Sequence, residues 1–150
     1  MQADKVIHVL VLCTGNSARS QMAEGLFRTI GRTSVVVQSA GSAPANHINP
    51  YAVQVMAEVG IDISQQQPKQ VDSLLGQAFD YVITVCDNAR DNCPYFPGPT
   101  ERLHWSFADP ASVVGGDDTK LPAFRAVREG LTACITSFLD DHSYHDRTAR

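Results

Sequence analysis

Apolar and polar residues follow one another in blocks along this chain, and the blocks predict alternating strands and helices. Residues 5–12 are a nearly continuous apolar run of strand length, as expected for a strand buried on both faces of a parallel sheet. After a polar loop at residues 13–20, apolar residues recur at helical spacing until Gly31, and residues 34–39 form a second strand-like run. This order is that of a strand–loop–helix–strand unit, whose crossover is right-handed in nearly all proteins.

The rest of the chain continues the alternation of helices and strands. Asn49 and Pro50 supply a cap and a first-turn proline for a second helix, which Gly60 is expected to end. Its predicted core positions are Ala52, Val53, Met56 and Val59. The remaining predicted elements are a weak helix at 71–77, strands at 81–85 and 102–105, and a last helix that begins at Asp117 or Asp118. The pattern predicts an α/β fold, a three-layer sandwich with a central four-stranded parallel sheet, in a single domain spanning residues 1–150.

Composition narrows the range of functions. With 12 basic and 16 acidic side chains the formal net charge is −4, which argues against a nucleic-acid partner. No apolar run approaches the roughly 20 residues of a membrane span, so we expect no membrane insertion. The N-terminal residues carry no secretory cleavage signature, and no long exposed apolar stripe is evident. We therefore expect a cytoplasmic monomer.

Four cysteines, at positions 13, 86, 93 and 134, are too few for a disulfide scaffold in a chain of this size. In a reducing compartment such thiols serve packing, metal binding or chemistry. Cys134 falls on the apolar stripe of the last helix and is predicted to pack in the core. No histidine forms a convincing metal constellation with a carboxylate or a cysteine, so we predict no metal site.

The loop after the first strand combines a candidate nucleophile with a candidate anion site. Cys13 ends the strand, and in open α/β sheets ligands bind beyond the carboxyl ends of strands, at helix N-termini. Backbone N–H groups of such a loop, together with the planar fork of Arg19, suit a tetrahedral oxyanion. The predicted oxyanion-binding residues are Thr14, Gly15, Asn16, Ser17, Ala18 and Arg19. The same field favours a thiolate at Cys13, to which Ser20 can donate a hydrogen bond.

The alternative for this loop is a buried strand-end cysteine in an ordinary strand-to-helix turn. The spacing Cys-x5-Arg-Ser from Cys13 to Ser20, in a strand–loop–helix context, favours the nucleophile. The G-x4-G-K-[ST] motif is absent, so the sequence gives no support for a nucleotide-binding P-loop.

The segment from Cys13 to Gly25, CTGNSARSQMAEG, resembles the low-molecular-weight tyrosine phosphatase fold family, and more narrowly the arsenate reductases built on that fold. The likeness extends over nearly the whole chain. It includes Ser39-Ala40-Gly41, residues 60–64, and His104-Trp105 ahead of Asp109-Pro110.

The resemblance implies roles for individual residues. Cys13 would attack the oxyanion, Arg19 would bind it, and Ser20 would stabilise the thiolate. Asn16 would hold the loop in shape, and Asp109 would donate a proton to the leaving oxygen. Without the resemblance, an aspartate ahead of a proline is equally typical of a turn.

A second pair of cysteines, Cys86 and Cys93, follows the third predicted strand, at the sheet edge that holds Cys13. Their spacing fits neither the usual zinc site nor the C-x-x-C of thioredoxin-like proteins. Seven residues of regular helix rise about 10.5 Å, whereas a disulfide needs Cα atoms within about 7 Å, so the two can join only if the segment bends or unwinds. Taken alone, Cys86 could equally pack under the sheet and Cys93 lie unused in a loop.

The resemblance assigns this pair to a thiol relay. By the resemblance to thioredoxin-coupled arsenate reductases, Cys13 would attack arsenate, and Cys86 would then attack Cys13 and release arsenite. Cys93 would next attack Cys86, which leaves a Cys86–Cys93 disulfide for thioredoxin to reduce. No bound cofactor is needed, because the thiols and the reductant supply both electrons. Glutaredoxin with glutathione is the alternative reductant.

Two other functions stay open at this point. A phosphotyrosine phosphatase or phosphomonoesterase on the same fold would use Cys13, Arg19 and Asp109, but it leaves the second cysteine pair unexplained. A non-catalytic binder of arsenite or another oxyanion would use the three thiols as soft ligands. Some relatives also bind potassium beside the loop. Residues 65–69 lack the oxygen ligands expected of such a site, and we hypothesise that Lys69 supplies a fixed positive charge instead.

Overall fold

A computed structural model of the chain describes residues 6–148, with side chains described from 6 to 142. Its strands are β1 (Ile7–Leu12), β2 (Val35–Ala40), β3 (Tyr81–Thr84) and β4 (Glu101–His104). Its helices are α1 (Arg19–Gly31), α2 (Pro50–Ala57), α3 (Asp87–Asp91) and α4 (Asp117–Thr148). Short 3-10 turns cover Arg32–Ser34, Val71–Leu74 and Pro110–Ser112. In this described part of the chain, no helix combines the length and the apolar character needed to cross a membrane.

The strands form one sheet in the order β2-β1-β3-β4, and all neighbouring pairs are parallel. The predicted α/β fold with a four-stranded parallel sheet is thereby confirmed. Val9, Leu10 and Val11 of the central strand β1 are fully buried, which explains why its apolar residues do not alternate with polar ones. Helix α4 packs against both α1 and α2. Phe27 of α1 stacks on Trp105, which ties the segment after β4 to this core.

The region predicted as a weak helix at 71–77 is shorter and tighter in the structure. Only Val71–Leu74 is regular, and it is a 3-10 turn. Asp72 and Ser73 favour turn conformations over helix interiors, and Gly76 follows closely. The apolar spacing alone therefore overstated this element.

The regular part of helix α2 ends at Ala57, and Gly60 closes its C-terminus as predicted. The N–H of Gly60 donates to the carbonyl of Ala57 and the N–H of Ile61 to the carbonyl of Met56, both at 3.0 Å. The N–H of Val59 bonds to the carbonyl of Met56, three residues back, which tightens the chain beyond the helix end. Val59, predicted as a core position, is consequently 48% exposed. Gly60, with a φ of +80°, completes the turn that reverses the chain.

Parallel pairing places the carboxyl ends of β1 and β3 at the same edge of the sheet. β1 ends directly before Cys13, and β3 ends two residues before Cys86. The N–H of Val85 donates to the carbonyl of Leu12 at 3.0 Å, so the two strand ends stay in contact beyond the sheet. The fold thus brings the first two candidate cysteines to one edge.

Candidate active site

The anion loop, residues 13–19, joins β1 to α1 and begins with a buried cysteine. Cys13 is 3% exposed, and its Sγ lies 2.8 Å from Ser20 Oγ. Ser20 Oγ accepts a hydrogen bond from Asn16 Nδ2 at 2.7 Å, which leaves the hydroxyl hydrogen free to point at the sulfur. A hydroxyl that donates to sulfur stabilises the thiolate form.

Asn16 shapes the anion loop from its fully buried centre. Its φ of +49° lies in the left-handed region, which asparagine tolerates better than most residues. Its Oδ1 accepts the N–H of Lys69 at 2.8 Å, and its Nδ2 donates to Ser39 Oγ as well as to Ser20. The amide therefore ties the loop to β2 and to the segment around residue 69.

The carbonyl oxygens of the anion loop point away from its interior. Those of Thr14, Gly15 and Ser17 each accept an N–H from the segment 43–49, at distances of 2.8 to 3.0 Å. A methyl group at Gly41 would overlap the carbonyl oxygen of Thr14, so only glycine allows the loop to lie this close. With the carbonyls turned outward, the N–H groups are left to face an anion beside Cys13.

Helix α1 begins without a side-chain cap. Ala18 occupies the cap position, and the first turn holds no acidic residue. The first N–H groups of the helix and the positive end of its dipole are therefore available to an anion. Arg19, the first residue of α1, donates from Nη1 to the carbonyl oxygen of Phe107 at 2.8 Å. The predicted oxyanion-binding residues thus lie together on one loop, and their binding role remains a prediction.

Cys86 lies against the anion loop. It is 6% exposed, and its Sγ is 3.4 Å from Thr14 Oγ1 and 3.4 Å from the N–H of Ala89. Asn88 Nδ2 donates to Thr14 Oγ1 at 2.7 Å, so the threonine hydroxyl has its own hydrogen left for the sulfur. The sulfur of Cys86 is thus hydrogen-bonded to the residue that follows Cys13.

Cys93 follows the C-terminal end of α3 by two residues and is only half-buried. Burial raises the pKa of its thiol, and the nearby positive charge of Arg102 opposes that rise. A cavity of about 220 Å³ adjoins it, lined in part by Arg102 and His104. All four cysteines are free thiols. Cys134 is only half-buried on α4 and is not among the core residues, so the prediction that it packs in the core is wrong: it lies at the border of the apolar stripe that Leu131, Ile135 and Phe138 bury. Partial burial raises the pKa of its thiol.

Asp109 is exposed and begins the 3-10 turn at Pro110–Ser112. Its Oδ1 accepts the N–H of Ala111 at 3.0 Å, so its carboxylate acts as a cap, as the turn interpretation predicted. Among the described residues, the link from this segment to the anion loop runs through Phe107, whose carbonyl accepts from Arg19. The structure therefore places Asp109 two residues from the arginine contact, and its role as an acid remains a prediction.

Residues 8–144 match the model of the low molecular weight phosphotyrosine protein phosphatase family. The chain belongs to this family. Among the relatives of this phosphatase-family chain, an arsenate reductase of Halalkalibacterium halodurans is 46% identical over 136 residues, which are 91% of this chain and 96% of that protein. An arsenate reductase of Bacillus subtilis is 42% identical over 137 residues, again 91% of this chain and 96% of that protein.

Solved structures of the phosphatase family show the same likeness. An arsenate reductase in its phosphate-binding state has a TM-score of 0.78 and 30% identity, covering 91% of this chain and 98% of that one. A thioredoxin-dependent arsenate reductase of Corynebacterium glutamicum has a TM-score of 0.72 and 30% identity, covering 99% of this chain and 66% of that one. A low molecular weight tyrosine phosphatase of T. tengcongensis has a TM-score of 0.71 and 25% identity, covering 90% of this chain and 99% of that one.

A buried charge that the sequence did not predict lies behind the anion loop of this family member. Glu24 of α1 accepts the hydroxyl of Ser39 at 2.6 Å and pairs with Arg28 at 2.5 Å. The ammonium of Lys69 lies 3.8 Å from the same carboxylate, and the hypothesis that this lysine replaces a bound cation stays a prediction. The available signal was a glutamate on the helix face that also carries buried residues, where a charge needs a partner.

A polar contact at the start of α3 was also not predicted from the sequence. His104 Nδ1 lies 2.7 Å from Thr84 Oγ1, and His104 Nε2 lies 3.0 Å from Asp87 Oδ1. Hydrogen bonds from His104 and Ser106 hold the pKa of Asp87 below its usual value. The residue after Cys86 is thereby fastened to the end of β4. Within the described residues, no group of three or more His, Cys, Asp or Glu side chains is placed to hold a metal ion.

Proposed function

We propose that this protein, as one domain, reduces arsenate to arsenite, with Cys13 as nucleophile and Cys86 and Cys93 as the thiols that pass the oxidation outward. The observation that carries the proposal is the contact of Cys86 Sγ with Thr14, the residue next to the nucleophile, at 3.4 Å. A phosphatase needs no second thiol at this place. The relatives at 46% and 42% identity that bear the name arsenate reductase support the same choice of substrate.

In the first step the N–H groups of residues 14–18 and the guanidinium of Arg19 hold the oxyanion. The thiolate of Cys13, stabilised by Ser20, attacks arsenic(V) and displaces one oxygen, which leaves as water after Asp109 donates a proton. The product is a sulfur–arsenic(V) adduct on Cys13. The oxyanion fits a loop whose carbonyls are turned outward and whose following helix lacks a cap.

In the second step the thiolate of Cys86 attacks the sulfur of Cys13. The electron pair of the sulfur–arsenic bond stays with arsenic, which leaves as arsenite, and a Cys13–Cys86 disulfide forms. In the third step the thiolate of Cys93 attacks Cys86, and Cys13 leaves as a thiolate. The two electrons given to arsenic thus come from two thiols, and the oxidation ends at Cys86–Cys93.

Thioredoxin is the reductant that we assign to the final disulfide. Cys93 is the most exposed of the three thiols, so a protein dithiol can reach it more easily than the buried pair. One solved relative is named thioredoxin-dependent, which supports this choice over glutaredoxin with glutathione. Three thiols that must return to the reduced state fit the cytoplasm, and we propose a monomer that acts there.

Phosphomonoester hydrolysis is the second candidate function. It is favoured by the family to which the chain belongs, and Cys13, Arg19 and Asp109 are the residues it would use. It gives Cys86 and Cys93 no role. The two functions therefore differ in which cysteines they need.

A coupled assay separates the two functions. Arsenate-dependent loss of NADPH is followed in the presence of thioredoxin and its reductase, and hydrolysis of p-nitrophenyl phosphate is followed in parallel. Arsenate reduction predicts that Cys13→Ser, Cys86→Ser and Cys93→Ser each abolish multiple turnover, whereas the control Cys134→Ser keeps it. If Cys86→Ser and Cys93→Ser cycled normally with arsenate, the relay would be wrong. Under either function, Cys13→Ser is expected to lose phosphate-ester hydrolysis, whereas Cys86→Ser and Cys93→Ser are expected to keep it.

A further inference from the structure

A glycine in the middle of α4 has an unexpected neighbour. Gly130 lies well inside a helix, where glycine is unfavourable because it leaves the backbone flexible in the unfolded chain. A methyl group at Gly130 would lie 2.6 Å from Cε1 and 3.4 Å from Cζ of Phe107. The ring edge of Phe107 therefore rests directly on the helix backbone, in a notch that any larger residue would fill.

The main chain of Phe107 connects this notch to the reacting groups. Its N–H donates to the carbonyl of Val85, the residue before Cys86, at 3.3 Å. Its carbonyl accepts from Arg19 Nη1 at 2.8 Å. Asp109 follows two residues later on the same segment. One half-buried phenylalanine thus contacts α4, the end of β3 and the arginine of the anion loop.

The contact with Arg19 has a specific chemical effect. A guanidinium carries five N–H donors in one plane, and its Nε and Nη2 hydrogens point in parallel toward the same side. Because Nη1 is held by the carbonyl of Phe107, rotation of the guanidinium is restricted, and the Nε–Nη2 edge has no hydrogen-bond partner among the side chains that the structure describes. An edge of this kind can bind two oxygens of a tetrahedral anion at once.

We propose that Phe107 is a positioning residue, whose ring is seated on Gly130 so that its carbonyl presents the Nε–Nη2 edge of Arg19 to the oxyanion. The inference deepens the proposed function, because it concerns the anion-binding step. It applies to any tetrahedral oxyanion at this site. Phosphate binding can therefore test it independently of the thiol relay.

The test is a double-mutant cycle read out by the dissociation constant of inorganic phosphate, measured by calorimetry on the reduced full-length protein. Gly130→Ala pushes the ring of Phe107 away from the helix, and we expect the affinity for phosphate to fall about tenfold, because the loss of one hydrogen bond to a charged group changes an affinity by roughly this factor. Ser137→Ala, an exposed position on the same helix, is the matched control and should leave phosphate binding unchanged. Phe107→Leu removes the ring edge that meets position 130.

The background of the substitution decides the outcome. In the Phe107→Leu protein, Gly130→Ala should have little further effect on the phosphate dissociation constant, because the clash is gone. If Gly130→Ala weakened phosphate binding equally with Phe107 and with leucine at position 107, the effect would come from the helix and the proposal would be overturned. The proposal would also be overturned if Gly130→Ala left phosphate binding unchanged in both proteins. Should Gly130→Ala fail to fold, Phe107→Leu alone is expected to weaken phosphate binding several-fold, and an unchanged constant there overturns it. If the relay assay fails while this cycle holds, the site binds oxyanions for another reaction.

Discussion

The anion loop and the segment of residues 86–93 meet at one sheet edge, but the chain holds them in opposite ways. Asn16, at the centre of the loop, is fully buried and bonded through both ends of its amide. The segment 86–93 contains a helix of five residues, and the side chain of Asp87 at its start is 64% exposed. The loop is fixed by surrounding structure, whereas the segment is fastened mainly at its first residues.

This difference matches what the two regions are proposed to do. Attack on an oxyanion needs groups held in place before the anion arrives. Transfer of a disulfide from Cys13–Cys86 to Cys86–Cys93 needs a segment that can bend or unwind, because seven residues of regular helix rise about 10.5 Å and a disulfide needs Cα atoms within about 7 Å. In the proposed reaction, the rigid anion loop serves the attack on the oxyanion, and the more weakly fastened segment of residues 86–93 serves the transfer of the disulfide.

Gly41→Ala is the change that we expect to damage the rigid region most. The added methyl group meets the carbonyl oxygen of Thr14, which belongs to the backbone and cannot swing away. We expect a loss of about 2 kcal/mol in the free energy of unfolding and no measurable phosphate binding. Gly76→Ala is the control, because nothing lies within 4 Å of a methyl group there. Normal phosphate binding by Gly41→Ala would show that the loop is less rigid than we infer.

The reactivity of Cys93 tests the movable region. Burial raises the pKa of this thiol, so at neutral pH most of it is protonated and cannot attack. Below that pKa the thiolate fraction grows about tenfold per pH unit, and the transfer of the disulfide from Cys13–Cys86 to Cys86–Cys93 should accelerate accordingly. Rapid quenching at several pH values, with mass spectrometry of the disulfides, measures this step. Arg102→Gln should slow it further, and a rate independent of pH would refute the assignment.

The hydrogen bonds of Asp87 test how firmly the start of α3 is held. Its carboxylate accepts from His104 Nε2 and Ser106 Oγ, and these bonds exist only while the start of α3 is in place. Asp87→Asn should therefore favour the Cys86–Cys93 disulfide, by no more than about fivefold because the pair is exposed. Equilibration with glutathione redox buffers measures the constant. Asp91→Asn, on the same helix and away from His104, serves as control and should not shift it.

Glu58 gives the smallest effect and concerns the scaffold alone. Hydrogen bonds from Arg125 and Arg128 lower the pKa of Glu58 to about 2. Because the folded pKa lies below the usual value of 4.5, the stabilisation is complete above pH 4.5 and is lost as the pH falls toward 2. Denaturant melts of Glu58→Gln should lose this acid-dependent part and leave phosphate binding at neutral pH unchanged. If the stability of Glu58→Gln fell with pH as steeply as that of the natural protein, the acid dependence would come from other carboxylates.

The sequence was most informative where structure is decided locally. The uninterrupted apolar run of β1 indicated a buried parallel strand, and the spacing from Cys13 to Ser20 indicated the hydrogen bond that the structure shows. Glu24 and Gly130 were not predicted, because each is explained by a residue distant in sequence, Ser39 and Phe107 respectively. Spacing along one helix cannot reveal such partners.

Helix α1 begins at Arg19, and Ala18 at its cap position has no side chain that could accept the first N–H groups of the helix. In most helices a serine, threonine, aspartate or asparagine satisfies those donors permanently. Under the proposed function a bound oxyanion takes that place, and ligand binding and folding are then thermodynamically linked. At a concentration one hundred times its dissociation constant, such an anion would add about 2.7 kcal/mol to the free energy of unfolding. A melting temperature of this protein consequently has a defined meaning only when the concentration of phosphate, sulfate or arsenate in the buffer is stated with it.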